Sequence, residues 1–227
     1  MKKLSIIIPA YNEAPTVKEL IKQVKNLNLK KTQKEIIVVD DASTDGTKNI
    51  IQAQTNIKKV FLSKNQGKGA AIRAGLAKVT GDYLIIQDAD LEYDPKDILK
   101  LIKPILAKKA EVVYGSRFLG PHKNMLFWHL MGNKFLSFIC NLLYNTTLSD
   151  MEVCYKLFPT KLVKSLNLTQ NRFGFDPEIT VKVLKLGHRI YEVPISYAGR
   201  EFNEGKKITW KDGVKVLYIL FKYRIFN

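Results

Sequence analysis

Short apolar runs rich in β-branched residues, alternating with segments of helical periodicity, constrain the fold of this chain more than any other feature. The runs are Leu4 to Ile8, Glu35 to Val39, Lys59 to Leu62, Tyr83 to Ile86 and Glu111 to Tyr114. Their cores are continuous rather than alternating, as in a parallel sheet covered on both faces. Between the first two, Val17, Leu20, Ile21, Val24 and Leu27 recur at helical spacing behind Thr16 and Glu19, which are set as a capping box. Gly46 to Thr55, Gly67 to Val79 and Pro95 to Lys108 supply the next crossovers. The expected class is α/β, a mostly parallel twisted sheet with helices on both faces, and ligands then bind beyond the carboxyl ends of the strands.

After Gly115 the pattern changes. Asn124 to Leu148 is apolar and aromatic but interrupted by His129, Asn133, Lys134 and Asn141, which fits an interfacial or groove-lining helix better than a transmembrane one. A strand near Tyr155 to Phe158, a helix from Asp176 to Leu186 and a strand near Arg189 to Val193 follow. The tail, Ile208 to Phe226, mixes aromatic side chains with Lys211, Lys215, Lys222 and Arg224. With 227 residues, 46% of them apolar, the chain can bury the core of one domain, residues 1–227. Its halves are 1–115 and 116–227. Cys140 and Cys154 show no metal-ligand spacing and read as reduced thiols without a role. Met1-Lys2-Lys3 runs straight into a strand, so no signal peptide is expected and the compartment is the cytosol.

Three strand ends carry candidate chemistry. At the fourth, Gln87-Asp88-Ala89-Asp90-Leu91-Glu92 places two carboxylates one residue apart, where they offer hard oxygen ligands to Mg2+ or Mn2+. A solvated acidic turn is the plain alternative. At the second, Asp40 and Asp41 precede Ser43, Thr44, Asp45, Gly46 and Thr47. Asp45 or Thr44 serves as a helix cap, and Asp41 is left to hydrogen-bond a base edge. At the first, Pro9, Tyr11 and Glu13 offer an aromatic face and a carboxylate beside which a base could lie, with a simple turn as the alternative. Asn65-Gln66-Gly67-Lys68-Gly69 opens the third helix, where backbone N–H groups and Lys68 could meet a phosphate. It is no dinucleotide fingerprint, because Ile72 stands where the third glycine belongs.

Taken together, these strand ends resemble those of the family-2 inverting glycosyltransferases. Gly115-Ser116-Arg117-Phe118, Ser149 to Lys156, Phe173 to Glu178 and Glu204 to Ile208 narrow the likeness to the dolichyl-phosphate mannose synthases and their bacterial polyprenyl-phosphate relatives. The resemblance spans nearly the whole chain and implies a glycosyltransferase A-type fold, with 1–115 as the nucleotide-sugar-binding half and 116–227 as the acceptor-binding, membrane-contacting half. It implies that Pro9, Tyr11, Glu13 and Asp41 hold the nucleoside, that Asp88, Asp90 and Glu92 surround the metal, and that Arg117 holds the acceptor phosphate. Many mannose synthases have an arginine near Asn133. Its absence here weakens mannose as the sugar and shifts acceptor-phosphate binding toward Lys134, Arg200 or Lys206. Asp90, Arg117 and Asp150 are the expected catalytic set. Asp150 either orients Arg117 or Lys156 or accepts a proton, with a buried salt bridge as the structural alternative.

The implied reaction moves a hexose from a UDP-glucose or GDP-mannose type donor to a dolichyl or undecaprenyl phosphate, with Mg2+ or Mn2+ as cofactor. Net charge is +16, from 37 Lys and Arg against 21 Asp and Glu, which suits phosphorylated substrates and anionic headgroups. The expected location is peripheral, on the cytoplasmic face of the membrane, through amphipathic C-terminal helices. Nucleotide-sugar donor, polyprenyl phosphate and membrane surface are the expected partners, with no nucleic acid. A homo-oligomer or a separate membrane protein partner stays open. The rivals are a family-2 enzyme acting on a polysaccharide or other sugar, a nucleotidyltransferase releasing pyrophosphate, and a basic nucleic-acid-binding module.

Overall fold

The computed structural model of the chain describes residues 1–200 and 210–226, the side chains of 210 and 211 excepted. Strands β1 (Lys2–Ala10), β2 (Thr32–Asp40), β3 (Lys58–Phe61), β4 (Tyr83–Ile86) and β5 (Val112–Ser116) coincide with the five apolar runs. With β7 (Lys156–Pro159) and β8 (Ile190–Pro194) they form one seven-stranded sheet in the order β3-β2-β1-β4-β7-β5-β8. Only β7 runs antiparallel to its neighbours, β4 and β5. A second ribbon pairs β6 (His122–Lys123) with β9 (Tyr197–Ala198), and neither strand has a sequence signal. It matters for the site because it brings the chain at 197–200 back over the end of β4.

Continuous burial explains the parallel centre. Seven of the nine residues of β1, Leu4 through Ala10, are buried. Helix α1 (Val17–Asn26) covers this face with Val17, Leu20, Ile21 and Val24. Its N-terminus is not closed by the expected capping box. The Thr16 hydroxyl donates to the Glu13 carboxylate at 3.0 Å instead, and Glu19 faces solvent beside Lys22. Helices α2 (Thr47–Gln52), α3 (Lys68–Leu76) and α4 (Ile98–Leu106) are the remaining crossovers of the first half, α4 following a single 3-10 turn at Pro95–Asp97. Gly75 of α3 lies against Ile7 and Val39, so the helix approaches the sheet more closely than a Cβ would permit.

In the second half, α5 (Phe127–Tyr144) packs on α8 (Trp210–Ile225), with α7 (Phe175–Lys185) behind them. Leu136, Cys140, Met151, Val181, Val216 and Leu220 form a small core of their own there. The short α6 (Thr160–Ser165) follows β7. Both cysteines are free thiols and buried. Among the described residues, no helix is long and apolar enough to cross a membrane.

Candidate active site

Three parallel strands, β1, β2 and β4, end side by side, and each chain leaves the sheet through a residue in the left-handed region: Asn12 at φ 54°, Ala42 at φ 59° and Leu91 at φ 63°. For an alanine and a leucine this conformation is uncommon, and residues held so concentrate at ligand sites. The turns brace one another. Asn12 N–H donates to Ser43 Oγ, Glu13 N–H to Thr47 Oγ1 and Ala14 N–H to Asp45 Oδ2, while Asn12 Oδ1 accepts from Thr44 N–H. Asp45 also accepts the N–H of Thr47 in the first turn of α2, so the capping role falls to it, one residue ahead of Gly46.

Asp41 is buried and already engaged. Its carboxylate accepts the N–H groups of Gln66 (2.9 Å) and Gly67 (2.7 Å) and the Asn65 amide (3.0 Å). The backbone donors before α3 that sequence offered to a phosphate are therefore occupied by Asp41. One lone-pair direction on Oδ1 is the acceptor it retains. Lys68 turns the other way, 2.8 Å from Asp88 and 3.8 Å from Asp176. Burial alone would lower the Lys68 ammonium; Asp88, with Asp176, holds it well above its ordinary value, so it stays charged.

Asp90 lies beyond Asp88 on the same turn. Burial, then the nearby charges of Asp88 and Glu92, lifts its carboxyl to about 7. A buried Asp90 carboxyl that resists ionisation beside neighbouring carboxylates is what a cation would relieve, and two carboxylates plus substrate phosphate oxygens satisfy Mg2+ or Mn2+. Glu92, the third of the expected metal ligands, is engaged as well: its Oε1 accepts Arg200 N–H at 2.9 Å and its Oε2 the Tyr197 hydroxyl at 3.0 Å. Among the described residues no group of three or more His, Cys, Asp or Glu side chains converges as a metal centre. Asp88 and Asp90 are the carboxylates that would hold such an ion, and Glu92 also holds the chain that covers them. Arg200 likewise serves as a bridge, its guanidinium donating to the Asp90 carbonyl (2.7 Å) and the Glu13 carboxylate (2.8 Å).

From the second half, Arg117 enters at the end of β5. Nε and Nη2 donate to the two oxygens of Asp150, each at 2.7 Å, and the Arg117 N–H adds a third bond at 3.0 Å. Asp150 is fully buried. Its partner is Arg117, a contact common to the orienting role and to the buried salt bridge, whereas Lys156 pairs with Asp176 at 2.6 Å. Burial alone would lower the Arg117 guanidinium, but Asp150 raises it well above its ordinary value.

One cavity of about 890 Å³ unites these groups. Its wall includes Pro9, Tyr11, Glu13, Asp41, Lys68, Asp88, Asp90, Glu92, Arg117 and Arg200, and Met125, Trp128, Phe135, Val214 and Leu217 extend it between α5 and α8. Asp150 sits behind the wall. Lys134 stands outside the lining, exposed, with its ammonium 5.9 Å from the Phe118 ring, and Lys206 lies outside the described residues. Glu152, Arg172 and Asp176 also line the cavity without having been singled out from sequence. Asp150, Glu152 and Lys156 alternate with apolar Met151, Val153 and Tyr155, and that period of two was the available signal.

Carboxylates on three parallel strand ends thus share one cavity with Arg117 of the second half, itself paired with Asp150. Residues 5–166 match the family model of glycosyl transferase family 2, and the chain belongs to that family. A UDP-N-acetylglucosamine–dolichyl-phosphate N-acetylglucosaminyltransferase of Methanococcus voltae is 31% identical over 247 residues, covering 99% of this chain and 97% of its own. An uncharacterised protein of Methanocaldococcus jannaschii is 29% identical over 231 residues, covering 99% and 93%. Glucosyl-3-phosphoglycerate synthase of Mycobacterium tuberculosis, in complex with UDP, superposes with a TM-score of 0.77 at 18% identity, over 98% of this chain and 80% of that one. Its complex with Mn2+, UDP and phosphoglyceric acid gives 0.75 at 19% identity, over 100% and 80%. The fold is the glycosyltransferase A type.

Proposed function

We propose that the chain is an inverting hexosyltransferase that moves a sugar from a nucleotide diphosphate to a polyprenyl phosphate at the cytoplasmic membrane surface. The observation that carries it is the single cavity in which Asp88, Asp90 and Lys68 share a wall with Arg117 and then continue between apolar α5 and α8. Support for a UDP-linked donor and a dolichyl-phosphate acceptor comes from the name of the Methanococcus voltae relative.

In this reading Tyr11, Glu13 and Asp41 hold the nucleoside and Lys68 holds the diphosphate, all four lining the one cavity. A Mg2+ or Mn2+ ion held by Asp88 and Asp90 would neutralise the leaving diphosphate as a Lewis acid. A phosphate monoester has its second pKa near about 6, so the acceptor is already mostly dianionic at neutral pH and no strong base is required. An acceptor oxygen attacks the anomeric carbon; as that C–O bond forms, the bond to the diphosphate breaks and its electron pair leaves with the nucleoside diphosphate. Arg117 offsets the repulsion between two anions, and Asp150 fixes its plane.

Membrane contact has its own support. Trp128, Met131, Phe135, Phe138 and Leu142 form an exposed stripe along α5, and Val214, Tyr218, Phe221 and Ile225 a second on α8. Apolar stripes of this extent mark a binding face, and a charge of +16 favours anionic headgroups beside it. The decisive experiment incubates the protein and Mn2+ with a panel of radiolabelled UDP- and GDP-sugars and a short polyprenyl phosphate. An organic-extractable sugar phospholipid is expected. A water-soluble oligosaccharide instead would favour a sugar acceptor and defeat this reading.

A further inference from the structure

Glu152 takes no part in the reaction as written, yet one oxygen of its carboxyl, Oε1, is buried without a hydrogen-bond partner among the described residues. The residue lines the cavity wall. Two charged sets act on it: Asp176 with Lys156, and Arg117 with Asp150. The first set leads to the donor, because Asp176 also stands 3.8 Å from Lys68, which holds Asp88. The second is the arginine clamp. Glu152 therefore shares one cavity wall with Lys68, on the donor side, and Arg117, on the acceptor side. In a single in-line displacement the group that passes from donor to acceptor within that cavity is the transferred sugar.

Resting on the transferase reading above, we infer that Glu152 is a specificity-determining residue, hydrogen-bonding a hydroxyl or acetamido group of the transferred sugar. Burial first, then Asp176, holds its carboxyl at about 8, against the opposing pull of Lys156 and Arg117, so that it carries its proton at neutral pH. A neutral carboxyl both donates and accepts, which matches a sugar hydroxyl or an amide.

The test uses the full chain with Mn2+ and compares Glu152→Gln, Glu152→Leu and Glu152→Ala. Affinities for UDP and for UDP-glucose, UDP-galactose and UDP-N-acetylglucosamine are measured by calorimetry, and transfer to a polyprenyl phosphate is measured for each donor. Loss of a polar partner for a sugar group predicts that the Leu and Ala variants lose on the order of 100-fold in kcat/KM for the preferred donor. Their preference among the three sugars collapses while UDP affinity stays within about twofold of wild type, as for removal of a contact confined to the sugar. Glu152→Gln, which also donates and accepts, keeps the preference. An unchanged preference in both truncations, or UDP and UDP-sugars weakened equally, overturns the inference while leaving the transferase intact. A wild-type chain that binds no nucleotide sugar defeats the transferase reading itself, and Glu152 with it.

Discussion

At the scale of single residues the site is defined by where charge is uncomfortable. Asp90 has its carboxyl lifted to about 7 by burial, then by Asp88 and Glu92. Between an unfolded value near about 3.9 and that value the folded state binds the extra proton, so metal-free stability falls as pH rises through this window. Asp90→Asn removes the penalty. It should raise the Tm of the metal-free protein at pH 8 by about 3–6 °C, change it little at pH 4, and abolish both the thermal shift given by Mn2+ and sugar transfer. A Tm gain that is the same at both pH values would remove Asp90 as the titrating group. The Arg117 to Asp150 pair is the opposite case, two charges that need each other. Asp150→Ala leaves a mostly buried guanidinium unpaired and should cost about 3–5 kcal/mol in denaturant unfolding, whereas the double variant with Arg117→Ala should cost less. The carboxylates of the fourth strand end and Lys68 were legible in sequence because strand ends and helix starts are local signals. The capture of Asp41 by residues 65–67, and of Glu92 by residues 197–200, was not, since each joins segments distant in the chain.

At the scale of elements, α5 shows how a helix can be apolar on two faces for two reasons. Leu136, Ser137 and Cys140 face inward and are buried, with Val181 of α7 and Val216 and Leu220 of α8 in the same small core. Trp128, Met131, Phe135, Phe138 and Leu142 follow spacings of three and four residues along an exposed stripe, in which Trp128 and Phe135 also border the cavity mouth and Met131, Phe138 and Leu142 lie outside it. Periodicity read from sequence separates such stripes only when the partner helix is known, and α8 lies about 70 residues downstream. The same limit applied to β7, whose apolar run is clear but whose antiparallel seat between β4 and β5 is set by long-range pairing. If the outer stripe is the membrane face, replacing Met131, Phe138 and Leu142, which lie outside the cavity lining, together with Ser should leave the far-ultraviolet circular dichroism and Tm unchanged. Cosedimentation with anionic vesicles should then drop at least about tenfold, given roughly 1.5–3 kcal/mol for each large apolar side chain removed from lipid. Transfer to a water-soluble short-chain acceptor should persist. Unaltered vesicle binding would assign the stripe to a protein partner.

At the scale of the whole molecule, the sheet order decides whether the two halves are independent. The first 115 residues hold four parallel strands and nearly all of β5, and sequence periodicity alone would allow them to stand as a nucleotide-binding unit. The sheet interposes β7 between β4 and β5, so those two strands of the first half never touch each other. The donor side of the cavity depends on the second half as well. Lys68 needs Asp176, Arg73 donates to the Gln170 carbonyl, and a Cβ at Gly69 would collide with that same carbonyl, so α3 is seated directly on the 170–172 segment. A fragment of residues 1–115 should therefore lack the partner of β4 and expose Leu84 and Ile86, side chains fully buried in the intact chain. Burying two such residues contributes about 1.5–3 kcal/mol each, a large share of a typical net stability of about 5–15 kcal/mol. The expected outcome is that the fragment shows no cooperative unfolding and no UDP-dependent thermal shift, while the full chain unfolds in one transition whose midpoint coincides by tryptophan fluorescence and circular dichroism. Trp128 and Trp210 both lie in the second half, so fluorescence follows that half and circular dichroism follows the whole sheet. Coincident midpoints tie the halves into one cooperative unit, and a fragment that folds and binds UDP would show that β7 is an addition to a sheet already complete without it.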